Sequence, residues 1–326
     1  MKKLLALLVA LTLVFALVTV ASAEDYPNKD IYAICPWAPG GGTDACLRAF
    51  TDALSKQLGV TITVDNPTDG TGVRGHDAIA DADPDGYTIG MLTFELSGYK
   101  AQDMSDYTYE DYELLCQINS DPAAVTVNAK WANENGIADL NSFIEYCKAH
   151  PGEVKMGGSS NGSVWHIAGG YLENAADIDI KMVTYGDGAA KAVLAAAQGP
   201  DEGEVHGVTV SVTEARSRIE SGELICLGVM AADRLEAFPD IPTCAEQGVE
   251  AYYETWRGLA MPLGVDEAIV AKLKDACTAA VEDPTFVAYM DSTGSLITWK
   301  DADAFKAFLA VQAEETPVIM EALEII

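Results

Sequence analysis

Two glycine-rich turns are the residues best placed to do chemistry. Pro39-Gly40-Gly41-Gly42-Thr43-Asp44 and Gly157-Gly158-Ser159-Ser160-Asn161-Gly162-Ser163 each stand between a strand-like run and a helix start. Such a turn aims several free backbone N–H groups at one point, and the positive end of the helix favours an anion by about 0.3–1 kcal/mol, up to about 2 when partly buried. Hydrogen bonds to a charged acceptor add about 1.5–3 kcal/mol each, so two opposed turns can hold a small anion at micromolar affinity or better after ordering costs. Taken singly, either stretch also reads as a tight turn with no ligand.

Rival chemistries are less well supported. The first turn carries neither GxGxxG nor a following GKS or GKT, so it meets no nucleotide fingerprint. Gly158-Ser-Ser160-Asn-Gly162 does fit the GxSxG nucleophile elbow, which would make Ser160 an esterase nucleophile. Only His166 and His206 follow it, however, and Glu173, Asp177, Asp179 and Asp187 are among the acids available before His206. His76, His150, His166 and His206 show no ligand pairing at three- to five-residue spacing, and no two cysteines lie within four residues of each other. We therefore expect no metal, no cofactor and no catalytic step. His166 reads either as a pocket donor or as a capping residue, and Trp37 and Trp165 either as a ligand sandwich or as core aromatics.

The elements that must position these turns alternate regularly. Ile31 to Trp37 is strand-like, Thr43 or Asp44 can cap a helix with apolar positions Leu47, Phe50, Leu54 and Leu58, and Gly59 stops it. Val60 to Asn66 is the next strand, Asp69 to Gly75 a further glycine turn, and Tyr87 to Thr93 a third strand. The unit recurs from Val154 to Met230. The last third reads as mainly helical, with Pro317 expected to kink or divide its final helix. This alternation predicts an α/β fold with largely parallel sheet and two lobes.

The chain has 326 residues, 20 Lys+Arg against 50 Asp+Glu, a formal charge of -30 and 49% hydrophobic residues. So acidic a surface argues against nucleic acid and anionic lipid as partners, while the apolar content suffices for a core. Lys2 and Lys3, an apolar run from Leu4 to Val20 and Ala21-Ser22-Ala23 read as a signal peptide over residues 1–23, cleaved on export. Beyond it no uncharged stretch is apolar enough to span a bilayer. The mature chain is expected to be soluble and periplasmic or otherwise extracytoplasmic. Its seven cysteines sit where cysteine serves as a small hydrophobe, so reduced buried thiols are expected.

CPWAPGGGTDACLR (35–48), ADPDGYTIG (82–90), HPGEVKMGGSSNGSVWHIAG (150–169), ADRLEAFPDIPTCAEQG (232–248) and TWRGLAMPLG (255–264) occur in that order. These segments resemble successive signatures of the Bug-type family, the substrate-binding proteins of tripartite tricarboxylate transporters. The resemblance implies a two-lobe, hinged periplasmic binding protein of the Venus-flytrap, type II-like kind. Residues 24–121 plus 251–326 would form lobe 1, and 122–250 lobe 2. It implies a monomer that captures a small carboxylate, whether a di- or tricarboxylate, an amino acid or an aromatic acid, and delivers it to membrane permease subunits. A sensor presenting its ligand to a membrane kinase is the alternative.

In that family the carboxylate is held by the loops corresponding to 37–44 and 158–163. The implied site is therefore Trp37, Gly41, Gly42, Thr43 and Asp44, then Thr93, then Ser159, Ser160, Asn161, Gly162 and Ser163, with His166 and Tyr185. Departures keep the substrate open. Phe94 and Glu95 replace small residues, Tyr185-Gly186-Asp187-Gly188 replaces YKG, and His206 and Thr209 replace acidic and aromatic residues. A carboxylate would associate faster as salt screens the acidic surface, and a cation more slowly. Glu95 or Asp187 would read a cation.

Overall fold

The structure is a computed structural model that describes residues 26–186 and 188–326. The signal-peptide reading of 1–23 and the candidate Asp187 lie outside the described residues.

The chain lays down β1 (Ile31–Ile34), β2 (Ile62–Asp65), β3 (Thr88–Thr93) and β4 (Tyr112–Pro122) in one sheet. It then builds a second sheet from β5 (Ala124–Asn128), β6 (Lys155–Gly158), β7 (Lys181–Thr184), β8 (Gly207–Val208) and β9 (Leu224–Val229). It returns with β10 (Glu254–Pro262) and β11 (Leu296–Asp301) to the first. The orders are β11-β4-β10-β3-β1-β2 and β7-β6-β8-β5-β9.

Burial follows the periodicities read from sequence. In β1 Ile31 and Ala33 face the core while Tyr32 points to solvent, the period of two expected of a half-covered strand. β10 is buried along all but its first residue, as a strand covered on both faces must be. Cys46, Leu47, Phe50, Ala53 and Leu54 form the buried stripe of the Gly42–Leu58 helix, which Gly59 ends in the left-handed conformation.

The expectation of a largely parallel sheet is overturned. β1 pairs parallel with β2 and β3, and β6 with β7 and β8, but β10 runs antiparallel to β3 and β4, β11 to β4, and β5 to β8 and β9. For β10 in the first sheet the physical reason is the return of the chain. A strand re-entering a sheet from the far half arrives in the opposite sense to the βα units laid down first, and local periodicity carries no trace of that. The final stretch also contains β10 and β11, and its last helix, Ala302–Ala322, continues through Pro317 without being divided.

The chain passes between the two sheets twice, at Ala123 after β4 and at Tyr253 before β10. The Ala123 N–H donates to the Tyr253 carbonyl at 2.8 Å, so the two crossings are tied side by side. Close backbone approach also fixes the first glycine turn: a Cβ on Gly75 would stand 2.4 Å from Cα of Pro36, at the root of the Trp37 loop. Gly75→Ala is expected to destabilise the protein by about 1–3 kcal/mol through overpacking against main chain, read as a lower denaturant midpoint.

All seven cysteines are free, and six are buried. Burial pushes the thiols of Cys35 and Cys46 up to about 12, so they behave as core hydrophobes.

Candidate ligand-binding cleft

The Gly42–Leu58 helix begins without a side-chain cap: Gly41 is its extended N-cap and offers no side chain. Its first amides therefore face the gap between the two halves. Asp44 is turned the other way, accepting from the Gly40 N–H at 2.9 Å, the Arg48 Nε at 2.9 Å and the Asn66 Nδ2 at 2.9 Å. Burial pushes its carboxyl up, but the Arg48, Gly40 and Asn66 bonds outweigh this and hold it below its ordinary value.

The second turn is clasped by its own side chains. Ser163 caps the Val164–Ala176 helix and receives a 2.8 Å hydrogen bond from the Ser159 hydroxyl, and the Gly162 N–H donates to His166 Nδ1 at 2.9 Å. Gly162 has φ +69°, a left-handed turn suited to glycine.

Between the turns lies a polar cluster. The Trp37 indole N–H donates to the Thr93 hydroxyl at 3.2 Å, and that hydroxyl donates to Glu95 Oε2 at 2.6 Å. His76 Nε2 accepts the Thr93 amide at 3.1 Å; burial lowers its pKa to about 4 and keeps it neutral. The Val164 N–H, first of its helix, donates to Glu95 Oε1 at 3.3 Å. From β10, Arg257 sends Nη1 to Asp121 Oδ2 at 2.7 Å and Nε to the Thr43 hydroxyl at 3.1 Å, with 3% of its surface exposed. Glu214, in the first turn of the Val212–Glu220 helix, lies against the Gly42 amide. Among the described residues its Oε2 is buried without a hydrogen-bond partner.

These groups enclose a cavity of ≈ 30 Å³, about one water's volume. It adjoins a cavity of ≈ 410 Å³ that shares Gly41, Gly42 and Glu214 with it. The structure brings Trp37, Gly41, Gly42, Thr43, Thr93 and Ser159 of the sequence-read set to the small cavity. It does not bring the rest. Ser160 and Asn161 line a different pocket with Gln102 and Ile325, and Asp44, Gly162, Ser163 and His166 are spent within their loops. The Tyr185 hydroxyl donates to the Gly203 carbonyl at 2.9 Å. His206 Nδ1 accepts the Lys155 amide at 2.9 Å, and Thr209 donates to the Trp165 carbonyl at 2.7 Å.

Sequence reasoning missed Arg257, Glu214, Thr255 and Val164 as lining residues. A signal existed for the first, since Arg257 is a cation inside an otherwise apolar strand run. A GxGxxG spacing at Gly70, Gly72 and Gly75 also went unread. Its anion position is filled from within: Asp69 accepts the N–H groups of Thr71, Gly72 and Arg74 at 3.0, 3.0 and 3.1 Å.

Burial raises the Glu214 pKa to about 7, with Asp121 and Glu95 raising it further and Arg257 and the Gly42 amide opposing. The Gly42 amide, Arg257, Asp121 and Glu95 reach Glu214 from the other half, so under hinged closure the shift would act on closing. An acid whose pKa is raised on closing favours the closed form at low pH, and that contribution is lost as pH rises from the ordinary carboxylate range through about 7. Ligand-free protein is expected to be more compact by small-angle scattering at pH 6 than at pH 8, and Glu214→Gln to remove the difference.

Two α/β halves tied by paired crossing segments, with a polar cleft between two helix starts, define a solute-binding protein of the periplasmic-binding-protein fold. Residues 46–325 match the tripartite tricarboxylate transporter family receptor, and the chain belongs to that family. It is 27% identical to Protein BugT of Bordetella pertussis over 294 residues, covering 89% of this chain and 87% of that one. A TctC solute binding protein from Polaromonas, solved with no ligand, is 28% identical at TM-score 0.69, covering 91% of this chain and 99% of that one. An R. palustris protein solved with adipate shares the fold at TM-score 0.84 and 21% identity, covering 92% and 99%. No helix among the described residues is long and apolar enough to cross a membrane.

Proposed function

We propose that this chain is an extracytoplasmic solute-binding protein, acting as a monomer, that captures a small carboxylate in the cleft and delivers it to a membrane permease. Lobe 1 is 24–121 plus 251–326, lobe 2 is 122–250, and the tied crossings at Ala123 and Tyr253 are the hinge. The observation that carries the reading is the cleft itself: the Gly42 and Val164 helix starts face one gap, with Arg257 and the Thr43 and Ser159 side chains beside them. A carboxylate docks first on Arg257 and Thr43 beside the Gly42 helix start, and closure brings Ser159 to complete its shell. That the adipate-holding relative has this fold supports a carboxylate as ligand.

Uptake of labelled ligand tests the permease role. Cells lacking the gene should lose saturable uptake and regain it with the wild-type chain; uptake that persists while a ligand-dependent transcriptional response disappears would favour the sensor reading.

The esterase reading makes a separate demand on Ser160, which the cavity does not. Ser160→Ala is expected to change carboxylate affinity less than about twofold and to leave no ester turnover to lose, as measured by calorimetry and a chromogenic ester. Loss of turnover on that substitution would establish the hydrolase instead.

A further inference from the structure

Both helix starts that the sequence marks as anion sites already face a carboxylate of this chain, each supplied from the opposite half. Glu95, from the first half, receives the Val164 N–H of the second at 3.3 Å. Glu214, from the second, lies against the Gly42 amide of the first. The exchange is reciprocal, and it places two carboxylates at the centre of a site read as anion-binding.

The charge balance follows. Arg257 is the one cation lining the small cavity among the described residues, and Asp121 already engages it at 2.7 Å. Glu95, Glu214 and Asp121 therefore share a single guanidinium, and burial together with that shortage of cations is why Glu214 keeps its proton up to about 7 and would ionise fully only beside an added cation. A dicarboxylate would add two negative charges to an enclosed space that is already short of cations, where like charges are screened least. Glu214 Oε2, buried and without a partner among the described residues, calls instead for a donor. The Gly42 and Val164 amides cannot fill that need, because each already faces one carboxylate. The ≈ 410 Å³ cavity alongside, which Glu214 also lines and whose Arg216 is already engaged by Glu220 and the Ser292 carbonyl, has room for the body of a small molecule.

We propose that the ligand is a small amino-carboxylate, whose ammonium group is read by Glu214 and Glu95 and whose carboxylate is read by Arg257, Thr43 and Ser159. This rests on the carboxylate-capture reading and narrows it to a zwitterion. The two glutamates are specificity residues: they select the ammonium and reject a second carboxylate.

Calorimetry on the ligand-stripped full chain distinguishes the possibilities. The panel is the twenty proteinogenic amino acids and 4-aminobutyrate, then succinate, adipate and citrate, and then putrescine. Succinate, 4-aminobutyrate and putrescine share a four-carbon chain and differ only in their end groups. The tightest binder is expected to carry both an amine and a carboxylate, and to bind about 100-fold tighter than its dicarboxylate counterpart. Glu214→Gln, and independently Glu95→Gln, should weaken it about 10-fold or more while improving dicarboxylate binding, with far-UV circular dichroism unchanged. A dicarboxylate that binds wild type best, with amino acids unaffected by either substitution, overturns the zwitterion and leaves carboxylate capture standing. Putrescine binding as tightly as any amino acid overturns carboxylate capture instead. Absence of any binder overturns both.

Discussion

Gly42→Leu is expected to abolish ligand binding while leaving the fold intact. A Cβ at this position would stand 2.9 Å from Nη2 of Arg257 and 3.0 Å from Oε1 of Glu214. The flexible end of a side chain ordinarily gives way, but the Arg257 guanidinium is held by Asp121 at 2.7 Å and Thr43 at 3.1 Å. A leucine therefore fills the gap through which the halves meet and covers the first amides of the Gly42–Leu58 helix. The backbone has no objection of its own, since Gly42 is not among the left-handed glycines and leucine is a good helix former. Affinity should fall by more than about 100-fold, equivalent to about 2.7 kcal/mol. The denaturation midpoint should stay close to wild type. Binding that survives would move the site to a different loop.

Arg257→Ala is expected to cost about 3–5 kcal/mol of stability, because it leaves Asp121 as a buried charge without its cation. Asp121 is 4% exposed, and its remaining partners, Asn119 Nδ2 at 3.0 Å and the Leu296 N–H at 3.3 Å, are neutral. The residues belong to neighbouring strands at the middle of the first sheet, where β10 and β4 are antiparallel, and Arg257 reaches from there to Thr43 at the helix start. The loss is electrostatic rather than one of packing, so pairing the change with Asp121→Asn should recover a large part of it in denaturant unfolding. Arg257→Lys should recover less of the binding than of the stability, since an ammonium cannot reproduce the fork that spans Asp121 and Thr43. Equal stability of Arg257→Ala and the double variant would show that the loss does not come from a stranded Asp121 charge.

The glycine turns, the helices that follow them and the βα units of both halves were legible because each is a local pattern. Gly59 at the helix end is read directly from residue type, whereas the start is not: the sequence offers Thr43 or Asp44 as the cap, and the structure puts Gly41 there with no side-chain cap. What escaped is what depends on partners distant in sequence. Glu214 meets Gly42 across the gap between the two halves, and nothing in the helix sequence VTEARSRIE distinguishes it from a solvated first-turn acid. The antiparallel return of β10 likewise comes from where the chain re-enters the sheet. Within the second turn the residue types were right and the directions unknown. Of its serines, Ser159 reaches the cavity, Ser163 caps the helix and Ser160 lines a different pocket. The family segments were the most informative part of the chain, since TWRGLAMPLG held the buried Arg257 in plain sight.

Capture of a carboxylate by closure of two lobes is tested most directly by calorimetry and small-angle scattering on one ligand-stripped preparation. The carboxylates are mono-, di- and tricarboxylates together with amino acids. At least one should bind at micromolar affinity or tighter, and the same compound should shrink the radius of gyration, with neither effect in Gly42→Leu. A panel that yields no heat and no change in scattering would contradict capture by closure altogether.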